Sequence, residues 1–155
     1  MGVDTRVRIG VEHDDHAIMD VLKTHLKATN VTVDAAKGNT FCGYIHFTTV
    51  DGNKRNMWVY RGQEGALPCI SLSLGCDDES QAIMQKICEV FGGYYSPNDC
   101  KENWVYYQGM HAMGDGLPYF IRWAINNNFM KDNDDIDGLK NAIDEWNKIH
   151  KKITS

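Results

Sequence analysis

Apolar and polar residues alternate along the first stretch of the chain. Val7, Ile9 and Val11 fall on one face and Arg6, Arg8 and Glu12 on the other. A period of two predicts a strand buried on one side. From about Asp15 the apolar spacing changes to three and four, and Ile18, Val21, Leu22, His25 and Leu26 make one stripe of a helix. "NVTVDAAKGN" then reads as a short strand running into a turn. The strongest hairpin signal follows. "TFCGYIHFTTV" and "KRNMWVYR" are rich in aromatic and β-branched residues and flank the turn sequence "DGN". Strand side chains alternate, so Phe41, Ile45 and Phe47 cannot share a face with Tyr44 and His46.

A third extended run carries Ile70, Leu72 and Leu74 on one side. It leads into a second helix with the stripe Ile83, Met84, Ile87, Val90 and Phe91, stopped by Gly92-Gly93. "YYSPNDCKENWVYYQ" predicts a further hairpin turning at "SPND". Beyond it, "LPYFIRWAINNNFM" reads as an apolar helix. Ile136, Leu139, Ile143, Trp146, His150 and Ile153 form the seam of a last amphipathic helix.

The pattern contains an internal echo. Val7, Ile9, Val11, His13, Asp14 and Asp15 align without gaps on Ile70, Leu72, Leu74, Cys76, Asp77 and Asp78. After two inserted residues, Ala17-Ile18-Met19 matches Ala82-Ile83-Met84. Any amphipathic strand followed by an acid-capped helix shares much of this pattern, because Asp is favoured at helix N-termini. Either origin gives two strand-to-helix units, each burying a helical stripe on a sheet. The expected architecture is α+β: a mixed or antiparallel sheet with two helices on one face. This is the split β-α-β, ferredoxin-like arrangement, enlarged by the 41–61 hairpin and followed by two C-terminal helices. Residues 1–110 form the α+β sandwich core and 111–155 a helical pair packed on it, one domain overall. The expectation includes a parallel, neighbouring placement of the two repeated strands.

Composition changes this picture little. The chain has 155 residues, 43% of them apolar and 24% charged, enough for one domain with a real core. A net charge of -5 disfavours nonspecific DNA binding, which depends on neutralising phosphates. "MGVDTRVRIG" lacks the apolar run of a signal peptide, and no stretch reaches the length of a membrane span. The five cysteines form no CxxC pair, so reduced thiols in a cytoplasmic protein are expected.

Candidate chemistry concentrates at two places. If the repeated strands were parallel neighbours, "EHDDH" and "CDDE" would emerge together. His13, Asp14, His16, Cys76 and Asp77 would then offer nitrogen, sulfur and oxygen to a divalent metal, and a metal with an open position activates water for hydrolysis. The competing account makes the same Asp residues helix caps. A second acidic run, "NDDIDGLKNAID", places oxygens at several positions of a calcium loop, but Asp144 stands where a bidentate Glu belongs and the helical seam runs through it. "QGMHAMGDGLP" has three glycines without a phosphate-binding spacing and reads as a connector.

The second place is the sheet itself. Tyr44, Trp58, Tyr60, Trp104 and Tyr106 are candidates for contacting a partner. Tyr44, Trp58 and Tyr60, with Arg6, Arg8, Lys54, Arg55 and Arg61 nearby, also suggest a stacking surface for single-stranded nucleic acid. No nucleophile motif and no complete catalytic constellation is present. The sequence therefore points first to a small cytoplasmic protein-binding or regulatory protein, of accessory or inhibitor type, with no cofactor. A metal-dependent hydrolase and a nucleic-acid binder are the alternatives.

Overall fold

The computed structural model describes residues 4–10, 13–35, 41–61, 69–98, 105–110, 119–132, 135, 137–138 and 141. The elements are β1 (Thr5–Gly10), α1 (Asp15–Thr24), β2 (Thr29–Ala35), β3 (Phe41–Thr48) and β4 (Lys54–Arg61). They continue with β5 (Cys69–Leu74), α2 (Asp78–Phe91), β6 (Gly93–Ser96), β7 (Val105–Tyr107) and α3 (Tyr119–Asn126). The class is α+β. Seven strands form one sheet in the order β2-β3-β4-β5-β1-β6-β7, and every neighbouring pair is antiparallel.

The period-two pattern holds where the strands are regular, but a bulge between Phe41 and Gly43 shifts the register and pairs Phe41 with Tyr60, so the alternation expected from Phe41 to Ile45 is broken. In register, Val7 faces Leu72, Ile9 faces Ile70, Leu72 faces Val59 and Met57 faces Ile45. All of these are buried, and they share one core with Ile18, Val21 and Leu22 of α1 and Ile83, Met84, Ile87, Val90 and Phe91 of α2. Both helices therefore cover the same face. His25 departs from its predicted stripe: it is the C-cap of α1 and is exposed. Residues at the fraying end of a helix need not point where the periodicity projects them.

The predicted turn between β3 and β4 is present. Thr49 donates its backbone N–H to the Asn53 carbonyl at 2.8 Å, and Gly52 takes φ 89°, a left-handed value that suits glycine. β6 and β7 pair antiparallel, as the second hairpin signal suggests. The connector at 111–118 and most of the 136–153 seam lie outside the described residues, as does Trp104. Helix α3 contacts β1.

One expectation is corrected. β1 and β5 are neighbours, but Thr5 pairs with Leu74 and Gly10 with Cys69, so they run in opposite directions. Apolar alternation is the same whichever way a neighbour runs, so direction was not encoded in the repeat. Antiparallel neighbours still permit helices on one face, because each helix returns to a strand parallel to the one it left. β5 and β6 both lie antiparallel to β1 and flank it, so α2 crosses over β1.

Candidate functional site

Antiparallel pairing separates the two acidic helix entrances. α1 begins beyond Gly10 and α2 beyond Leu74, at opposite ends of paired six-residue strands. Five strand steps put them roughly 17 Å apart along the sheet. His13, Asp14 and His16 therefore stand at one end, Cys76 and Asp77 at the other. The convergence that motivated the metal-binding expectation does not occur. Among the described residues no group of three or more His, Cys, Asp or Glu side chains is placed to hold a metal ion.

Each entrance has its own local chemistry. Asp14 is the N-cap of α1, and its Oδ1 accepts the Ala17 backbone N–H at 2.8 Å. His13 is buried, with its ring centroid 4.2 Å from that of Phe91, the last residue of α2. The antiparallel sheet brings the start of α1 to the end of α2 and creates this contact. Beside it, His13, Ala17, Asp20, Val21, Thr24, His25 and Phe91 line an open groove of about 300 Å³. His16 is exposed on the first turn.

At the other end Asp77 is the N-cap residue of α2, yet its side chain makes no capping bond to the helix backbone. Its carboxylate instead accepts hydrogen bonds from Arg55 Nη1, Arg55 Nη2 and the Ser80 hydroxyl. Arg55 Nε donates to Glu79 at 2.9 Å, and Asn53 Nδ2 donates to the same carboxylate. The guanidinium thus spans two carboxylates and ties the β3–β4 turn to the start of α2. The Arg55 and Ser80 hydrogen bonds hold Asp77 down from 3.8 to about 2. Partial burial pushes Glu79 up, but hydrogen bonds from Asn53 and Arg55 outweigh it and hold this carboxyl below its ordinary value. The sequence places Arg55 among the cations near the aromatic strands but does not show its pairing with Asp77 and Glu79, because those partners lie on a distant segment and no local motif joins them. Cys76 is exposed beside this cluster, and its carbonyl accepts from Gln81.

The sheet face away from α1 and α2 holds the other candidates. Tyr44 faces Trp58 across the β3–β4 pair, with ring centroids 4.8 Å apart in an edge-on arrangement. Trp58 and Tyr60, two residues apart on β4, hold their rings within 11° of parallel at 6.2 Å. The Arg6 guanidinium lies 5.7 Å from the centre of the Tyr60 ring, within cation–π range. On the far side of Tyr44, His46 stacks at 5.7 Å, and its Nδ1 is 2.6 Å from Asn56 Oδ1. The result is a row of planar groups running Arg6, Tyr60, Trp58, Tyr44, His46.

The two ends of this face differ. Tyr94, which stands opposite Arg8 on β1 and Tyr106 on β7, is fully buried, and Tyr106 is half-buried. Trp58 is 40% exposed. The row on β3 and β4 therefore contains exposed aromatic area, whereas Tyr94 at the β6–β7 end is enclosed. Chemically the row offers flat apolar surface, ring faces for stacking and one guanidinium.

The acidic run near the C-terminus behaves as a helix start where it is described. Asp135 accepts backbone N–H groups from Lys131 and Gly138, each at 3.0 Å. Those two bonds hold its carboxyl below the ordinary value and occupy both oxygens. Among the described residues no helix is long and apolar enough to cross a membrane. The chain matches no protein-family model, no curated protein and no solved structure.

Proposed function

We infer that this chain is a non-catalytic binding protein of accessory or regulatory type that docks a protein partner on the Tyr44–Trp58–Tyr60 row. The observation that carries this reading is Trp58, a large aromatic left 40% exposed at the centre of a ring cluster. Trp and Tyr bury large areas at low side-chain entropy cost and dominate the energetics of protein interfaces. The hydrolase reading loses its basis, because its two ligand groups lie at opposite ends of β1 and β5 and Asp77 is committed to Arg55.

In the same reading the strand order β6-β1-β5-β4, with α1 following β1 and α2 following β5, is a ferredoxin-like core. Strands β2 and β3 widen it, and α3 contacts β1. Cys76 and Cys88 are free thiols, which fits a cytoplasmic setting.

The test is capture of partners from the native host by the tagged full chain and by Trp58→Ala, each with and without nuclease. A protein recovered in stoichiometric amount by the wild type should fall at least about fivefold with Trp58→Ala, since such anchors carry about 1 kcal/mol or more of affinity. The variant's thermal melt should match the wild type. Equal capture by both chains overturns the reading. Capture that disappears with nuclease replaces it with a stacking surface for single-stranded nucleic acid.

A further inference from the structure

The sheet ends in two unlike edges. β7 is three residues long, whereas β2 runs seven residues, and among the described residues no strand pairs with its outer side. Long open edges present unpaired N–H and C=O groups and are ordinarily blunted by Pro, Lys, bulges or charges. β2 has one such device, a bulge between Thr29 and Thr32 with Asn30 at φ 53°. Past it the strand is regular: Thr32, Val33 and Asp34 pair with His46, Ile45 and Tyr44. Thr32, Val33, Asp34 and Ala35 are all exposed, and none is Pro, Lys or Gly. The one charge here, Asp34, has its Oδ2 3.6 Å from His46 Nε2 on β3, within its own sheet.

We propose that the Val31–Ala35 edge of β2 pairs antiparallel with the same edge of a second copy, about a two-fold axis at Val33. The occupant is argued from the strand's self-complementarity. In this register Val33 faces itself, Val31 faces Ala35, and Thr32 faces Asp34, whose carboxylate accepts the threonine hydroxyl. Val31 packs against the core on the helix side, and Val33 neighbours buried Ile45, so the axis joins the two apolar faces. Val33, 39% exposed, is covered by its counterpart. Residue pairs directly opposite on one face are the unit of sheet stabilisation, and each pair here is compatible. The contact is isologous and closes as a dimer. It involves no residue of the Trp58 row.

Five paired residues bury much less than a standard interface, so the dimer is weak. Sedimentation equilibrium of the full chain from about 10 μM to about 1 mM should show the mass rising toward that of a dimer. Val33→Lys and Val33→Asp each place like charges across the axis and remove the apolar pair. Each should weaken association by at least about tenfold. An equimolar mixture of the two variants should recover association, because only a contact in which position 33 faces position 33 restores opposite charges. Trp58→Ala should dimerise like the wild type. A monomeric mass throughout, undiminished association of Val33→Lys, or a mixture no tighter than either variant alone overturns the proposal.

Discussion

At the scale of single residues, Arg55 links two segments that lie far apart along the chain. Its guanidinium joins the β3–β4 turn to α2 through Asp77 and Glu79. The pairs are partly exposed, so Arg55→Ala should cost about 1 kcal/mol in urea unfolding, the upper end for surface networks. The pH dependence follows from Asp77. Its pKa is lower folded than unfolded, so its contribution is complete above 3.8 and disappears as the pH falls toward about 2. Wild type should lose more stability than Asp77→Asn between pH 5 and 2, by under about 1 kcal/mol, and added salt should shrink the difference. Cysteines differ as sharply. Cys88 is fully buried and burial pushes its thiol pKa well up, whereas Cys76 is exposed. Iodoacetamide should label Cys76 in the native protein and Cys88 only in denaturant, as read by peptide mass mapping; equal labelling would contradict the burial.

At the scale of elements, the joint between α2 and β6 is the least tolerant of change. Gly93 has φ 134°, and a Cβ there would sit 2.1 Å from the Arg8 carbonyl oxygen on β1. A backbone atom cannot swing aside as a long side chain can. Gly93→Ala should therefore cost about 3 kcal/mol, from overpacking and an unfavourable backbone region together. A Tm unchanged within error would refute that packing. The element scale also shows what the sequence could express. Alternation located β1 and β5, and the apolar stripe of α2 was read correctly, because both patterns are imposed locally by burial. The β3–β4 hairpin followed from its turn. Strand direction was not legible, since an amphipathic strand looks alike beside a parallel or an antiparallel neighbour. That one ambiguity misplaced the candidate metal site, because His13 and Cys76 were brought together only by a parallel pair. Tyr44, Trp58 and Tyr60 were legible as one face because they alternate with buried residues. Their exposure was not, because it depends on what else covers the sheet.

At the scale of the whole molecule, β1 sits between partners far away along the chain. Val7 pairs with Leu72 on one side and Tyr95 on the other, while the locally connected strands β2, β3 and β4 lie further out. Such nonlocal pairing slows folding, because the entropy of loop closure is lost before the contacts form. Refolding followed by tryptophan fluorescence should take milliseconds to seconds rather than microseconds, on the general scale for nonlocal sheets. Leu72→Ala, at a fully buried position on β5, should destabilise by about 3 kcal/mol in the same experiment.

The position of β1 also bears on how the protein emerges during synthesis. β1 is made before both of its neighbours, β5 ending at Leu74 and β6 at Ser96. Until β5 is complete, Val7 and Ile9 have no strand to pair with, and the growing polypeptide carries an adhesive ribbon that chaperones or premature association can seize. Messages truncated before the codon for Cys69, which lack the strand that pairs with Val7 and Ile9, should yield less soluble product than the full chain.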